Sequence, residues 1–153
     1  MLANLVGSLG SALMIFWSGA LSLGDGAVAE TAVRIGEAKV ALGFGQAFFR
    51  GVLCNVLVCL AVWLCFAAHD VAGKVLAIIF PTSAFVALGF EHSIANMYLI
   101  PMAWLAGAEA VTIGSFLANL VPVTLGNIIG GGLFVALIYW LIYLHPAADR
   151  TVS

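Results

Sequence analysis

Apolar positions along the chain gather into four long runs separated by short polar stretches. They cover approximately Leu2–Leu23, Phe48–Ala68, Val75–Leu105 and Val121–Leu144. Each is near or above the ~20 residues that a hydrocarbon core requires. The pattern predicts four membrane-spanning segments. The third is interrupted. Within Pro81–Pro101 a short polar break, Gly89-Phe90-Glu91-His92-Ser93, places two ionisable residues side by side in an otherwise apolar run. Charges and imidazoles at membrane depth are costly and normally face a cavity or a partner. Non-helical backbone there is tolerated only where it lines a water-filled cavity or is buried in protein. A Gly-interrupted apolar segment with polar groups at its break is the sequence pointer to a transport site. The stretch reads as two half-helices meeting near the bilayer midplane, with His92 at the junction.

The connecting stretches are short. Gly24–Gly45 carries Asp25, Glu30, Arg34, Glu37 and Lys39, and the four-residue spacing of Glu30 and Arg34 predicts a surface helix there. His69–Lys74 joins the second and third runs. Gly107–Asn119 joins the third and fourth and has room for a short interfacial helix. His145–Ser153 reads as a polar tail. Arg34, Lys39 and Arg50 on one side against Lys74 and Arg150 on the other give too small a bias to set orientation. No basic region precedes the first run, which therefore reads as a span rather than a cleaved leader.

Composition sharpens this picture. Only 8% of the 153 residues are charged and 64% are hydrophobic, whereas a soluble domain carries about 25% charge. Mean hydropathy is +1.19. So little polar surface implies lipid as the main solvent. A net charge of −2 offers no basic patch for nucleic acid. Cys54, Cys59 and Cys65 share one predicted helix at spacings that keep neighbours off a common face, so neither a disulfide nor a metal site is expected.

Small residues mark expected helix contacts. Gly126 and Gly130 form a GxxxG step followed by Gly131 and Gly132, and Gly7 with Ser11 makes a similar step in the first run. The two runs also resemble each other. Leu2-Ala3-Asn4-Leu5-Val6-Gly7 aligns with Leu125-Gly126-Asn127-Ile128-Ile129-Gly130, and Ile15-Phe16-Trp17 with Ile138-Tyr139-Trp140. Such a trace suggests an internal structural repeat of the kind common in transporters. If the fourth run closes a unit of three, the first should close an earlier unit whose two preceding helices are missing. The expectation is a single membrane domain over 1–153, forming the C-terminal part of a six-helix protein.

Three stretches carry a family resemblance: Arg50-Gly51-Val52-Leu53-Cys54-Asn55, Ala84–Met97 with its GFEHSIANM string, and Val121–Gly132. The chain resembles the formate/nitrite transporter family, closest to its formate channels, from about Leu2 to Leu144. The resemblance implies an all-α multi-pass membrane protein with an aquaporin-like inverted-repeat bundle, four of its six helices present here. It implies a homopentamer with one pore per subunit in the bacterial cytoplasmic membrane. Both termini would be cytoplasmic and Gly24–Gly45 outside. By resemblance His92 is the central pore histidine, Asn55 a pore-centre asparagine and Asn96 a polar pore-lining position. Phe85 and Val58 match apolar constrictions, and Lys39 a funnel lysine attractive to anions. Glu91 is expected to orient the His92 ring or its loop. The family's second broken helix, which supplies a threonine and another constriction, has no match in this chain.

The function implied is a channel or transporter for small monovalent weak-acid anions and protons: formate first, nitrite or hydrosulfide as alternatives. Desolvation of an anion in a narrow apolar pore favours its protonated form, and an imidazole there can donate a hydrogen bond or a proton. An intramembrane enzyme or haem protein is the competing class. Haem ligation needs imidazoles at matching depth, and His92 is central while His69 and His145 lie at span ends. No cofactor is expected. A non-conducting fragment is the remaining alternative.

Overall fold

The computed structural model describes residues 1–145, and among them every regular element is helical. The expected polar tail beyond His145, with Arg150, lies outside the described residues. Helix α1 spans Leu2–Trp17 and is followed by a single tight turn of helix, Ala20–Ser22. Then come α2 (Ala27–Val40), α3 (Phe44–Ala67), α4 (Val71–Ala87) and α5 (Ser93–Leu105). The last, α6, runs Ile113–Leu144 and widens into π-helical turns over Gly132–Leu137 and Trp140–Leu144.

Length decides which helices can cross a bilayer alone. The 24 residues of α3 and the 32 of α6 rise about 36 and 48 Å at about 1.5 Å per residue, enough for a core of roughly 30 Å. The 17 residues of α4 and 13 of α5 suffice only as two halves of one broken span.

Inside and outside are reversed relative to a soluble globule. Large apolar side chains such as Trp17, Phe66 and Phe80 are exposed, while Glu91, Ser93, Asn96, Asn119 and Asn127 are buried. Amide groups and small residues pack this interior, as in helix contacts formed in lipid. The most extensive pairing is α3 against α6. A Cβ at Gly126 would collide with the Phe48 carbonyl, and one at Gly130 with the Val52 carbonyl. The GxxxG step thus brings the two backbones together as expected. At the far end Trp63 of α3 packs edge-on against Tyr139 of α6, ring centres 5.2 Å apart. A second group joins α1 and α2 to α5 around Ile100, Ala103, Ala108 and Val111.

Several boundaries differ from the sequence reading. The first apolar run is helical only to Trp17 rather than Leu23, and the 16 residues of α1 fall short of the ~20 that a lone span requires. Helix α4 begins at Val71 because Asp70 caps it, its Oδ1 accepting the Gly73 N–H at 2.8 Å. The fourth span begins at Ile113, eight residues before the expected Val121, under a Thr112–Ser115 capping box. No separate interfacial helix forms in 107–119. The helix expected in Gly24–Gly45 exists and is largely exposed, touching the interior along one line. Gly36 is buried, and a Cβ there would run into that of Ala103 on α5. Glu30 and Arg34 form no ion pair; among the described residues the ion pair present is Lys39–Glu91. The Gly7–Ser11 step makes no helix contact: nothing lies within 4 Å of a Cβ at Gly7. The Ser11 hydroxyl instead donates to the Gly7 carbonyl in its own helix.

Candidate functional site

The site is the gap between α4 and α5. Gly89 adopts a left-handed φ of +64°, which ends α4 without a Cβ clash. The Gly89 N–H then donates to the Val86 carbonyl at 3.1 Å and the Phe90 N–H to that of Phe85 at 2.9 Å. This paired closure satisfies the last carbonyls of α4. The next N–H, of Glu91, donates to the Arg50 carbonyl on α3 at 3.3 Å. His92 and Ser93 open α5.

Asn127 of α6 holds this irregular backbone. Its Nδ2 donates to the Glu91 carbonyl at 3.0 Å and the Gly51 carbonyl at 2.8 Å, and its Oδ1 accepts the Ser93 N–H at 2.9 Å. Two of these bonds serve backbone at the break that helix geometry leaves unpaired, and the third ties it to the Gly51 carbonyl of α3. Sequence reasoning saw Asn127 only as a repeat residue. Its signal was an amide between two contact glycines in an apolar run.

Below the break lies a second buried ring of bonds. Lys39 Nζ donates to Glu91 Oε1 at 2.9 Å, and Asn96 Nδ2 donates to Glu91 Oε2 at 2.6 Å and to Asn119 Oδ1 at 2.8 Å. Asn119 Nδ2 returns to the Lys39 carbonyl at 2.8 Å. The ring ties α2, the break, α5 and α6 together. Asn96 Oδ1 is buried without a partner.

His92 caps α5: its Nδ1 accepts the Ala95 N–H at 3.4 Å. A neutral ring bonded this way carries its proton on Nε2. The Phe85 ring stacks near it, centroids 6.2 Å apart and planes 27° from parallel. Both line a cavity of about 360 Å³ with Lys39, Glu91, Arg50 and Leu99. A larger depression of about 620 Å³ lies over α2, lined by Glu30, Arg34 and Glu37, and touches none of these groups.

Of the seven residues singled out from sequence, the cavity gathers four: His92, Phe85, Lys39 and Glu91. Asn96 is fully buried behind them in the amide ring. Asn55 is half-buried on α3 and donates to the Asn127 carbonyl at 2.6 Å. Val58, also half-buried on α3, lies outside the cavity lining. Arg50, not singled out from sequence, lines the cavity directly. Cys54, Cys59 and Cys65 are free thiols.

Apolar helices with large side chains outward, amides inward and one helix broken around a polar cavity define a membrane-embedded helical protein with a discontinuous span. The formate/nitrite transporter family model matches residues 1–141, and the chain belongs to that family. It is 40% identical to the formate channel FocA of Escherichia coli K12, aligning over 93% of this chain and 56% of that protein. Identity to the nitrite transporter NirC of the same strain is also 40%, over 99% and 55%. The solved structure of a pentameric formate channel with formate bound superposes with a TM-score of 0.84 at 40% identity, covering 92% of this chain and 62% of that one. The chain spans about half the length of these curated relatives.

Proposed function

We propose that the chain forms part of the pore wall of a channel for small monovalent weak-acid anions, formate first, with His92 as the group that meets the anion midway. One observation carries this reading: an imidazole at the start of α5, beside Phe85, lines a cavity inside an otherwise apolar broken span. The N-terminal end of α5 adds a favourable dipole for an anion. Neutral His92, bonded through Nδ1, offers Nε2–H to a carboxylate oxygen. Imidazolium has no free Nδ1 lone pair, so protonation breaks the bond to Ala95. Passage is thereby coupled to pH: protonated His92 gives its proton to the anion, which continues as the neutral acid. Flux then falls as pH rises through the imidazole's titration. Lys39, Glu91 and Arg50 are the charged groups around it.

Asn55 and Asn96 are polar elements of the same site, and Phe85 and Val58 its apolar constrictions. Nitrite and hydrosulfide are the alternative cargoes, nitrite being favoured by the likeness to a nitrite transporter. The assembly is a homopentamer in a bacterial cytoplasmic membrane. Two further helices complete the pore wall. The test is formate flux into liposomes against pH for the wild type and His92→Phe. Flux unchanged in size and in pH dependence rules out the role of His92. A wild type that carries no anion rules out the channel, leaving a non-conducting fragment.

A further inference from the structure

We infer that Arg50 is the residue that draws the anion into the cavity and that its guanidinium selects planar two-oxygen anions. The inference rests on the channel reading above. Arg50 sits six residues after Phe44, the first residue of α3, about 9 Å along the axis at about 1.5 Å per residue. Its side chain is exposed, and its place in the site rests on what it bonds to. Its carbonyl accepts the Glu91 N–H at 3.3 Å, which sets it level with the break. Its Nη1 donates to the Gly89 carbonyl at 3.3 Å, and the side chain lines the same cavity as His92. An arginine inside a span marks a functional position unless it is paired, and among the described residues Arg50 has no carboxylate partner.

The charge count of the cavity points the same way. Its lining holds two permanent cations, Lys39 and Arg50, against one carboxylate, Glu91. Lys39 and Glu91 bond at 2.9 Å with side chains only 14% and 4% exposed, so their charges cancel locally. The remaining positive charge belongs to Arg50. One N–H to Gly89 leaves the rest of its planar fork free. Such a fork matches two coplanar oxygens at once, which an ammonium cannot do. Formate and nitrite present that geometry; hydrosulfide, with a single accepting atom, does not.

The competing explanation is a clamp that only fastens the end of α4 through Gly89. Initial flux against concentration separates the two in liposomes bearing wild type, Arg50→Gln or Arg50→Lys, with formate, nitrite and hydrosulfide as cargoes. Losing one charge-assisted contact should raise the formate KM of Arg50→Gln about ten- to a hundredfold with little change in maximal flux. Added salt should raise the wild-type KM and leave that of Arg50→Gln nearly flat. Arg50→Lys should regain hydrosulfide uptake while its formate and nitrite KM stay high. A wild type that carries formate alongside variants that lose maximal flux equally for all three anions, or keep the formate KM within about twofold, overturns the assignment and leaves the channel standing. Wild-type liposomes that carry none of them overturn both. If Arg50→Gln does not fold, the anion ranking of Arg50→Lys decides.

Discussion

Lys39 on α2 and Glu91 in the helix break bond at 2.9 Å, with the carboxylate almost wholly enclosed. Removing one partner of a buried pair strands the other charge and costs about 3–5 kcal/mol. Lys39→Met and Glu91→Gln should each lower thermal stability in detergent accordingly. The double variant should recover much of the loss, because Gln can still accept from Asn96 and no charge is left unpaired. Equal and additive losses in the double variant would show that the pair is not coupled.

A different kind of dependence holds at Asn127. Replacement by Leu leaves the Ser93 N–H and the carbonyls of Gly51 and Glu91 without the partner that Asn127 gives each of them. The Gly51 carbonyl keeps its bond within α3; each of the other two buried groups left unsatisfied costs about 1–3 kcal/mol, so Asn127→Leu should lose at least about 2 kcal/mol. Asn127→Asp keeps the acceptor for Ser93 but loses both donors, and should be no better. Thermal melts followed by tryptophan fluorescence check this; a loss under about 1 kcal/mol contradicts the clamp.

Glycines separated by two positions should respond in opposite ways. A methyl at Gly130 would meet the Val52 carbonyl, whereas Gly132 has nothing within 4 Å. Forcing that methyl into tight packing should cost Gly130→Ala about 1–3 kcal/mol. Gly132→Ala should be neutral or gain up to about 1 kcal/mol, because Ala has less backbone freedom to lose. Parallel melts of the two variants decide whether the small residues set the α3–α6 distance.

The contrast shows what could be read from the sequence. The break at 89–93 was legible because Glu91 and His92 stand out in an apolar run. The contact face of α6 was legible because Gly126 and Gly130 lie one turn apart. Gly7 and Ser11 gave the same local signal, yet nothing lies within 4 Å of a Cβ at Gly7, since a contact also needs the opposing helix. The start of α6 was hidden because Ser115 and Asn119 look like loop residues. Asn119 is at ease inside a helix only because Asn96 and the Lys39 carbonyl meet its amide. The pairing of Lys39 was hidden for a similar reason: its partner lies 52 residues away. Local spacing carried the half-helices and the imidazole between them. It did not carry the polar ring, or the place of Arg50 at the cavity, because these arise from helices distant in sequence.

His92 has two separable tasks, and one substitution can part them. Its Nδ1 caps α5 through the Ala95 N–H, while Nε2 remains for a ligand. Asn at this position can still accept that N–H, as asparagine does at many helix starts, but it cannot take up a proton near neutral pH. Phe can do neither. Loss of a cap costs about 1 kcal/mol, so His92→Phe should melt below the wild type and His92→Asn close to it. Both should lose the pH dependence of formate flux. Should His92→Asn keep the wild-type pH profile, the imidazole is only a cap and the proton comes from elsewhere. Should it lose stability as well as the profile, the ring's contact with Phe85 is needed to hold the break.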